Sequence, residues 1–337
     1  MRSRYIDLYF KTTLKRMENA DVPHPFSFLN KAAVTAYYVI ESYERKIQSM
    51  NEKIKLSVIG GDARQSAAAR RLESCGFDCA VFGTDVLDGQ NLCRDLAECL
   101  KDTKAVILGV PFSNDGHRIN CKSPDYAVSL RSLYERLAPR SLILGGKVTP
   151  EAQSQAALYG VRFLDYLERE EVNIHNAVPT AEGAIEIAMR ELPVTLFGSR
   201  SAVLGYGRVG RALAERLKAL GSDVTVVVRK ERDAAWCRAS GFKTLGYSSL
   251  DSLRGFDVIF NTVPAKVLSG AELSAIGNGS LIIDLASKPG GVDMESAREL
   301  GCRVIWALSL PGKVAVQTAG EIIADSVLSI LREEGIV

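Results

Sequence analysis

The chain of 337 residues is poor in the residues that most metal and covalent sites require. It has only three histidines, none of them at a metal-ligand spacing, and its seven cysteines form no C-x-x-C or paired pattern. It also contains no H-E-x-x-H, P-loop or Ser-His-Asp signature. We therefore expect no metal site, and we expect the cysteines to be reduced thiols, as in a cytoplasmic protein.

Excess charge and long apolar runs are absent as well. Lys and Arg total 42 and Asp and Glu total 40, so the net charge of +2 favours neither nucleic acid nor an anionic membrane as a partner. No apolar stretch approaches the roughly 20 residues of a membrane span, and the N-terminus carries no signal-peptide apolar region. We expect a cytoplasmic protein whose 47% hydrophobic content can fill the cores of two domains.

Three glycines in a dinucleotide-type spacing end an apolar run at residues 201–205. A helical pattern over residues 211–220 and a second apolar run over 224–228 follow them. In this context the first glycine permits a tight turn, the second lets backbone approach a pyrophosphate, and the third permits close packing of helix on strand. The helix N-terminus adds free N–H groups and a positive dipole end. The residues predicted to contact a dinucleotide here are Gly205, Tyr206, Gly207, Arg208, Val209 and Gly210.

The end of the second apolar run indicates which dinucleotide is bound. Arg229 and Lys230 stand where an NAD-binding protein usually has an acidic residue for the ribose 2′-hydroxyl, and Arg232 follows. Three cations suit a 2′-phosphate, so we predict NADP(H) as the cofactor. The alternative is that these residues are only a solvated strand end.

Apolar runs alternate with helical patterns along most of the chain, which predicts an α/β fold. We expect two doubly wound, Rossmann-like parallel-sheet domains joined by hinge helices, with a cleft between them. The predicted strands are 54–59, 78–82, 105–110, 142–144 and 162–165, then 201–205, 224–228, 258–261, 281–284 and 303–306. The predicted helices include 64–74, 90–100, 126–137, 150–159, 179–191 and 318–333. The predicted segments are an extension (1–50), a substrate domain (51–178, completed by helix 318–334), a connecting helix (179–197), an NADP domain (198–316) and a C-terminal helix (317–337).

Ligands of such sheets bind outside the carboxyl ends of the strands, so polar residues at those ends are the candidates for the cleft. Asp62, Arg64 and Gln65 follow the first strand, where Arg64 suits a substrate carboxylate; the alternative is that Asp62 only caps the helix. Thr180 is predicted to be the N-cap of the connecting helix. Further substrate candidates are Ser113, Thr180, Glu182, Lys288 and Thr318, and further cofactor candidates are Thr262, Val263, Pro264, Ser287 and Leu310.

Together these segments resemble the family of dipicolinate synthase A subunits. The resemblance lies in IGGDARQ (59–65), NAVPTAEG (176–183), LGYGRVG (204–210), NTVP (261–264), DLASKPGG (284–291) and LPGKVAVQTAG (310–320). These motifs follow the family order from residue 54 to the C-terminus, and the first 50 residues lie outside the resemblance.

The resemblance implies oxidation of a dihydrodipicolinate-type substrate to pyridine-2,6-dicarboxylate, with NADP⁺ as the hydride acceptor. It also implies a partner, the flavoprotein-like B subunit of dipicolinate synthase, and a role in sporulation in the mother cell of a spore-forming bacterium. Arg64 and Lys288 would anchor the two carboxylates, and Asp62 or His175 would accept the proton.

Two other functions stay open, as does homo-oligomerisation. The chain could be another two-lobed NADP-dependent dehydrogenase, although those enzymes normally supply a recognisable catalytic residue. It could instead be a nucleotide-binding accessory subunit without turnover of its own, which the lack of an obvious acid–base residue favours.

Overall fold

The computed structural model describes residues 53–85 and 90–337. The predicted extension over residues 1–50 therefore lies outside the described residues. Within residues 54–337 the chain forms two parallel sheets of six strands each.

The first sheet has the strand order β3-β2-β1-β4-β5-β6, and all its neighbouring strands are parallel. Its strands are β1 (Lys55–Ile59), β2 (Asp78–Phe82), β3 (Asn91–Leu92), β4 (Ala105–Leu108), β5 (Leu142–Gly145) and β6 (Arg162–Asp165). Its connecting helices are α1 (Ala63–Ser74), α2 (Leu96–Leu100), α3 (Leu130–Arg136) and α4 (Pro150–Leu158). The central strands are almost entirely buried because helices cover both faces, as expected from their continuous apolar runs.

The predicted bounds of two helices in this domain are wrong. The segment predicted as helix 90–100 begins with the short strand β3, and its helix starts only after Asp95, whose carboxylate accepts from Glu98 N at 2.9 Å. The segment predicted as helix 126–137 starts after Ser129, whose hydroxyl accepts from Ser132 N at 3.0 Å. In both cases a polar side chain binds the first free N–H groups and sets the helix start inside the periodic stretch.

The second sheet has the order β12-β11-β10-β7-β8-β9 and is again parallel. Its strands are β7 (Arg200–Leu204), β8 (Asp223–Val227), β9 (Lys243–Leu245), β10 (Val258–Asn261), β11 (Leu281–Asp284) and β12 (Arg303–Trp306). Its helices are α6 (Arg208–Ala219), α7 (Glu231–Ala239), α8 (Gly270–Ile276) and α9 (Met294–Glu299). Strand order reverses between β1 and β4 in one sheet and between β7 and β10 in the other, so each sheet has one topological switch point.

Helices α5 (Glu170–Glu191), α10 (Leu310–Val314) and α11 (Val316–Glu333) connect the two lobes. The predicted start of the connecting helix at 179 is wrong, because α5 begins nine residues earlier and contains Pro179 in its interior. Thr180 is therefore not an N-cap; its Oγ1 donates to Asn176 O at 2.7 Å. Burial of Val172, Ala177 and Pro179 favours one continuous helix over a start at the proline.

The C-terminal helix α11 packs on the first sheet beside α1. Its apolar residues Ile323 and Val327 share a core cluster with Leu56 and Val58 of β1. The two helices lie close together at Gly320, where an added Cβ would lie 2.5 Å from Ala67 Cβ and 2.6 Å from Arg64 O. The predicted fold class, two doubly wound parallel sheets, is confirmed. Across the part of the chain that the structure describes, no helix is both long and apolar enough to span a bilayer.

Candidate functional site

The glycine turn after β7 is packed so tightly that two of its glycines cannot be replaced without movement. Gly205 has φ +93°, and an added Cβ would lie 2.7 Å from Thr262 Oγ1. A Cβ on Gly210 would lie 2.2 Å from Gly205 O. These contacts hold α6 close to the switch point between β7 and β10, as the fingerprint predicts.

Gly207 differs from the other two glycines because the space beside it is open. It is the N-cap of α6, no side chain caps the helix there, and an added Cβ would meet no heavy atom within 4 Å. The first N–H groups of α6 and its positive dipole end are thus available to an anion. This cradle fits the pyrophosphate of a dinucleotide.

The remaining residues of the turn contribute mostly through the backbone. The Tyr206 ring is buried against Phe242, at 6.2 Å between ring centroids, and the Arg211 guanidinium lies 5.0 Å above the Tyr206 ring. Arg208 Nη1 donates to Glu170 Oε2 at 2.8 Å, which joins the starts of α6 and α5. Of the predicted cofactor residues, Arg208 alone in this turn has an exposed charged side chain.

The predicted 2′-phosphate residues follow β8 directly. Arg229 and Lys230 are both exposed, and no residue within the described ranges forms an ion pair with either of them. Arg232 has only a 3.4 Å contact with Asp233. These three cations lie beside a strand end, and Arg229 and Lys230 have no ion-pair partner among the described residues. Together they suit a dianionic ligand group.

A buried polar network joins the ends of β10 and β11, and the sequence did not lead us to propose its two members, Asn261 and Asp284, as site residues. Asn261 is 0% exposed and Asp284 is 1% exposed, and Asn261 Nδ2 donates to Asp284 Oδ1 at 2.8 Å. Asn261 also binds both backbone groups of Val263, at 3.1 and 3.2 Å. The sequence feature that could have indicated this network is Asp284 itself, an acidic residue at the end of a buried apolar strand. A buried charge needs hydrogen-bond partners.

In the first lobe, Asp62 and Gln65 form a capping box at the start of α1. Asp62 Oδ1 accepts from Arg64 N at 3.0 Å, and Asp62 N donates to Gln65 Oε1 at 2.9 Å. Gln65 is fully buried, and its Nε2 has no hydrogen-bond partner within the described residues. Asp62 therefore caps the helix, but the alternative that it only caps is wrong, because its carboxylate also binds the Arg64 guanidinium.

Arg64 is held on three sides. Its Nε and Nη2 donate to the Asp62 carboxylate at 2.9 and 2.8 Å, and Nη2 also donates to Val110 O at 2.8 Å. A Cβ on Gly312 would lie 3.0 Å from Arg64 Nε, so α10 covers one face of the guanidinium. The side chain is 13% exposed, and Nη1 is its one nitrogen without an acceptor among the described residues. Arg64 can therefore offer Nη1 to an anion from a fixed position.

The turn after β1 cannot act as a second phosphate cradle. Gly61 N donates to Asn120 O at 2.6 Å, and a Cβ on Gly60 would lie 2.4 Å from that same oxygen. The loop after β4 thus covers the backbone that a pyrophosphate would approach. The two lobes share a topology, but only the second has an open helix start at its switch point.

Asp62 does not have the properties of a general base near neutral pH. Burial raises its pKa, but the hydrogen bonds and the positive charge of Arg64 outweigh burial, so the pKa of Asp62 lies below its ordinary value. A base works best with a pKa near the working pH. Asp62 instead orients Arg64.

This lowered pKa predicts a pH dependence of stability. Asp62→Asn removes a carboxylate that stabilises the folded state when ionised, so the variant should have a lower Tm than wild type at pH 6–8. Because the folded-state pKa is lowered, the stabilisation is complete above about pH 4 and is lost as the pH falls further. Thermal unfolding of both proteins from pH 3 to 8 measures this; a Tm difference that grows on acidification would contradict it.

Several predicted residues lie apart from these groups. His175 is exposed and lines a pocket with Glu171, Asp325 and Ser329 between α5 and α11. Glu182 lies 3.5 Å from Arg216 of α6. Ser113 Oγ accepts from Gly116 N at 2.9 Å and thereby closes an exposed turn with Asp115.

The other predicted residues differ in their exposure. Leu310 is buried and packs near Gly183 of α5. Thr262 and Val263 are half-buried, and the exposed positions are Pro264, Ser287, Lys288 and Thr318. Among the described residues, no group of three or more His, Cys, Asp or Glu side chains is arranged to hold a metal ion.

Comparison with known proteins matches both lobes. Residues 55–167 match the N-terminal domain of the dipicolinate synthase A subunit. Residues 200–288 match the family described as NADP oxidoreductase, coenzyme F420-dependent, so the second lobe has an oxidoreductase-type fold.

Whole-chain relatives agree with this division. The dipicolinate synthase A subunit of Bacillus subtilis (strain 168) is 32% identical over 286 residues, which are 83% of this chain and 96% of that protein. The crystal structure of dipicolinate synthase, A chain, from Bacillus subtilis aligns with a TM-score of 0.74 at 31% identity, covering 84% of this chain and 97% of that one. The corresponding structure from Bacillus halodurans aligns with a TM-score of 0.72 at 28% identity, covering 82% and 97%. The chain belongs to the family of dipicolinate synthase A subunits.

Proposed function

We propose that this protein oxidises a dihydrodipicolinate-type dicarboxylate to pyridine-2,6-dicarboxylate with NADP⁺, together with the flavoprotein-like B subunit. The observation that carries the proposal is the open, uncapped start of α6 at Gly207, at the switch point between β7 and β10. The family relation extends the proposal to sporulation and to the cytoplasm of the mother cell. The aligned region covers 96% of the Bacillus subtilis relative, which supports comparing this chain with that whole protein.

The residues of the second lobe fit an NADP molecule. The N–H groups of α6 would bind the pyrophosphate, and Arg229, Lys230 and Arg232 would bind the 2′-phosphate. The loop Thr262–Pro264 follows β10 beside the glycine turn and would contact the nicotinamide ring. When bound, NADP⁺ supplies the hydride acceptor.

The substrate is a small dianion, and the chain supplies two cations for it. Arg64 presents Nη1 from a fixed position, and Lys288 is exposed without an ion-pair partner among the described residues. The substrate loses one hydride to the cofactor and one proton, and its ring becomes aromatic. Since aromatisation favours hydride loss, the main task of these residues is to orient the ring and exclude water.

Arg64→Ala should raise the KM for the dicarboxylate roughly tenfold or more, because it removes a charge-assisted hydrogen bond. The Kd of NADP⁺ should stay unchanged. Steady-state kinetics and calorimetry measure the two quantities. Arg71→Ala is the matched control, since Arg71 lies on the same helix but pairs with Asp325 at 3.4 Å. Equal effects of both substitutions would remove Arg64 from the substrate site.

The second candidate is a nucleotide-binding accessory subunit without turnover of its own. It is favoured by the engagement of Asp62 with Arg64 and by the position of His175 in a separate pocket, which leave no assigned proton acceptor. Turnover of the pure chain should be compared with turnover after addition of the B subunit. NADPH formation by the chain alone would exclude the accessory role, and formation that requires both subunits would support shared catalysis.

A further inference from the structure

We infer that Asp284 is a positioning residue, which holds Lys288 in a fixed place relative to the loop after β10. The inference rests on the proposed function, because it assigns Lys288 to a carboxylate of the substrate. It adds a buried residue that contacts neither ligand. Its basis is the set of hydrogen bonds that joins the loops after β10 and β11.

Asp284 is bound from both loops at once. Its Oδ1 accepts from Asn261 Nδ2 at 2.8 Å and from Ala286 N at 3.1 Å, and its Oδ2 accepts from Gly291 N at 2.8 Å. Asp284 as a whole is 1% exposed. Both ends of the segment 286–291 are thereby attached to one buried side chain, and that side chain is attached to Asn261.

The same segment is held from its other side by β12. Trp306 Nε1 donates to Ala286 O at 2.9 Å. A Cβ on Gly290 would lie 3.2 Å from Trp306 Cζ2 and 3.1 Å from Asp284 Oδ2, and a Cβ on Gly291 would lie 2.0 Å from Asn261 Nδ2. The loop backbone therefore lies directly against the network, with no room for a Cβ at Gly291 and little room at Gly290.

Lys288 lies at the exposed part of this short loop, between its two attachment points. A cation on a loop that is already ordered loses less conformational entropy when it binds an anion than a cation on a mobile loop. Asn261 extends the attachment to Val263, in the loop that would contact the nicotinamide. Asp284 thus fixes the distance between the substrate anchor and the hydride acceptor, which is a geometric requirement of the reaction.

The test is a double-mutant cycle on Asp284→Asn and Lys288→Ala, with dipicolinate affinity measured by calorimetry in the presence of saturating NADP⁺. Lys288→Ala should weaken dipicolinate binding roughly tenfold or more. Asp284→Asn should weaken it about five- to tenfold, with the Kd of NADP⁺ changed less than about twofold. The double variant should bind no worse than Lys288→Ala alone, because a positioning effect disappears when the positioned group is absent.

Additive effects in the double variant would overturn the inference, since a general structural defect acts whether or not Lys288 is present. Asp257→Asn is the control for such a defect: Asp257 also binds a backbone N–H, that of Arg200 at 2.7 Å, but at the opposite end of β10. It should lower the Tm without changing dipicolinate affinity.

Trp306→Phe tests the attachment of the same loop if Asp284→Asn does not fold, because it removes the hydrogen bond to Ala286 O together with the indole atoms that lie beside Gly290. It should weaken dipicolinate binding about twofold to fivefold in wild type and not at all in Lys288→Ala; an equal effect in both backgrounds would overturn the inference. Wild-type protein that binds NADP⁺ but no dipicolinate would instead contradict the proposed function itself.

Discussion

Gly210→Ala is expected to abolish measurable NADPH binding and to lower the Tm by roughly 5 °C or more. The methyl group would lie 2.2 Å from Gly205 O, and Gly205 itself has φ +93° and packs against Thr262. Because neither partner can move independently, α6 would have to shift away from β7. Such overpacking costs about 3 kcal/mol and displaces the N–H groups that would bind the pyrophosphate. Calorimetric titration with NADPH and thermal unfolding measure the two effects.

Gly207→Ala is the matched comparison in the same turn. Its methyl group would meet no heavy atom within 4 Å, so the Tm should stay within about 1 °C of wild type. NADPH affinity should nevertheless fall roughly tenfold or more, because the methyl group occupies the approach of the pyrophosphate. Wild-type NADPH affinity in this variant would show that the pyrophosphate does not bind beside Gly207.

Arg229→Asp should reverse the cofactor preference. We expect wild type to bind NADPH about 10- to 100-fold more tightly than NADH, because each charge-assisted hydrogen bond to the 2′-phosphate contributes about 1.5–3 kcal/mol. The aspartate would repel that phosphate and accept a hydrogen bond from the 2′-hydroxyl of NADH. Fluorescence of the bound reduced nicotinamide gives the Kd of both cofactors for both proteins.

Lys243→Asp controls for the change of charge in this lobe. Lys243 begins β9 and pairs with Asp223 at 2.7 Å at the start of β8, the opposite end of that strand from Arg229. Its replacement should leave the ratio of the two Kd values unchanged within about twofold at physiological ionic strength. Equal NADPH and NADH affinities in wild type would refute the assignment of Arg229, Lys230 and Arg232 to a 2′-phosphate.

Several features could be predicted from the sequence because they depend on local rules. The spacing of Gly205, Gly207 and Gly210 between two apolar runs predicted the turn after β7, and the structure has it there. The alternation of apolar runs with helical patterns predicted two parallel sheets, because buried strands of such sheets are continuously apolar. These signals lie within about ten residues of one another, so no knowledge of distant contacts was needed.

Predictions of helix bounds were wrong where a hydrogen bond or a packing contact, which hydrophobic periodicity does not indicate, set the start of the helix. Thr180 was expected to cap a helix, but packing of the preceding turns extended α5 through Pro179. Helix 90–100 was shortened by the cap at Asp95. In each case a single hydrogen bond or the burial of a few side chains outweighed the local preference, which is worth only about 1 kcal/mol per residue.

By itself the sequence determined the α/β class, the position of the dinucleotide turn and the family motifs, because these follow from short-range spacing and residue type. The tertiary structure alone decided that Val110 O and Gly312 hold the Arg64 guanidinium, and that Asn261 and Asp284 join the ends of two strands. Residues 64 and 312, or 261 and 284, meet only after the strands have aligned their carboxyl ends. The partners of a charged side chain, and therefore its availability to a ligand, depend on that alignment.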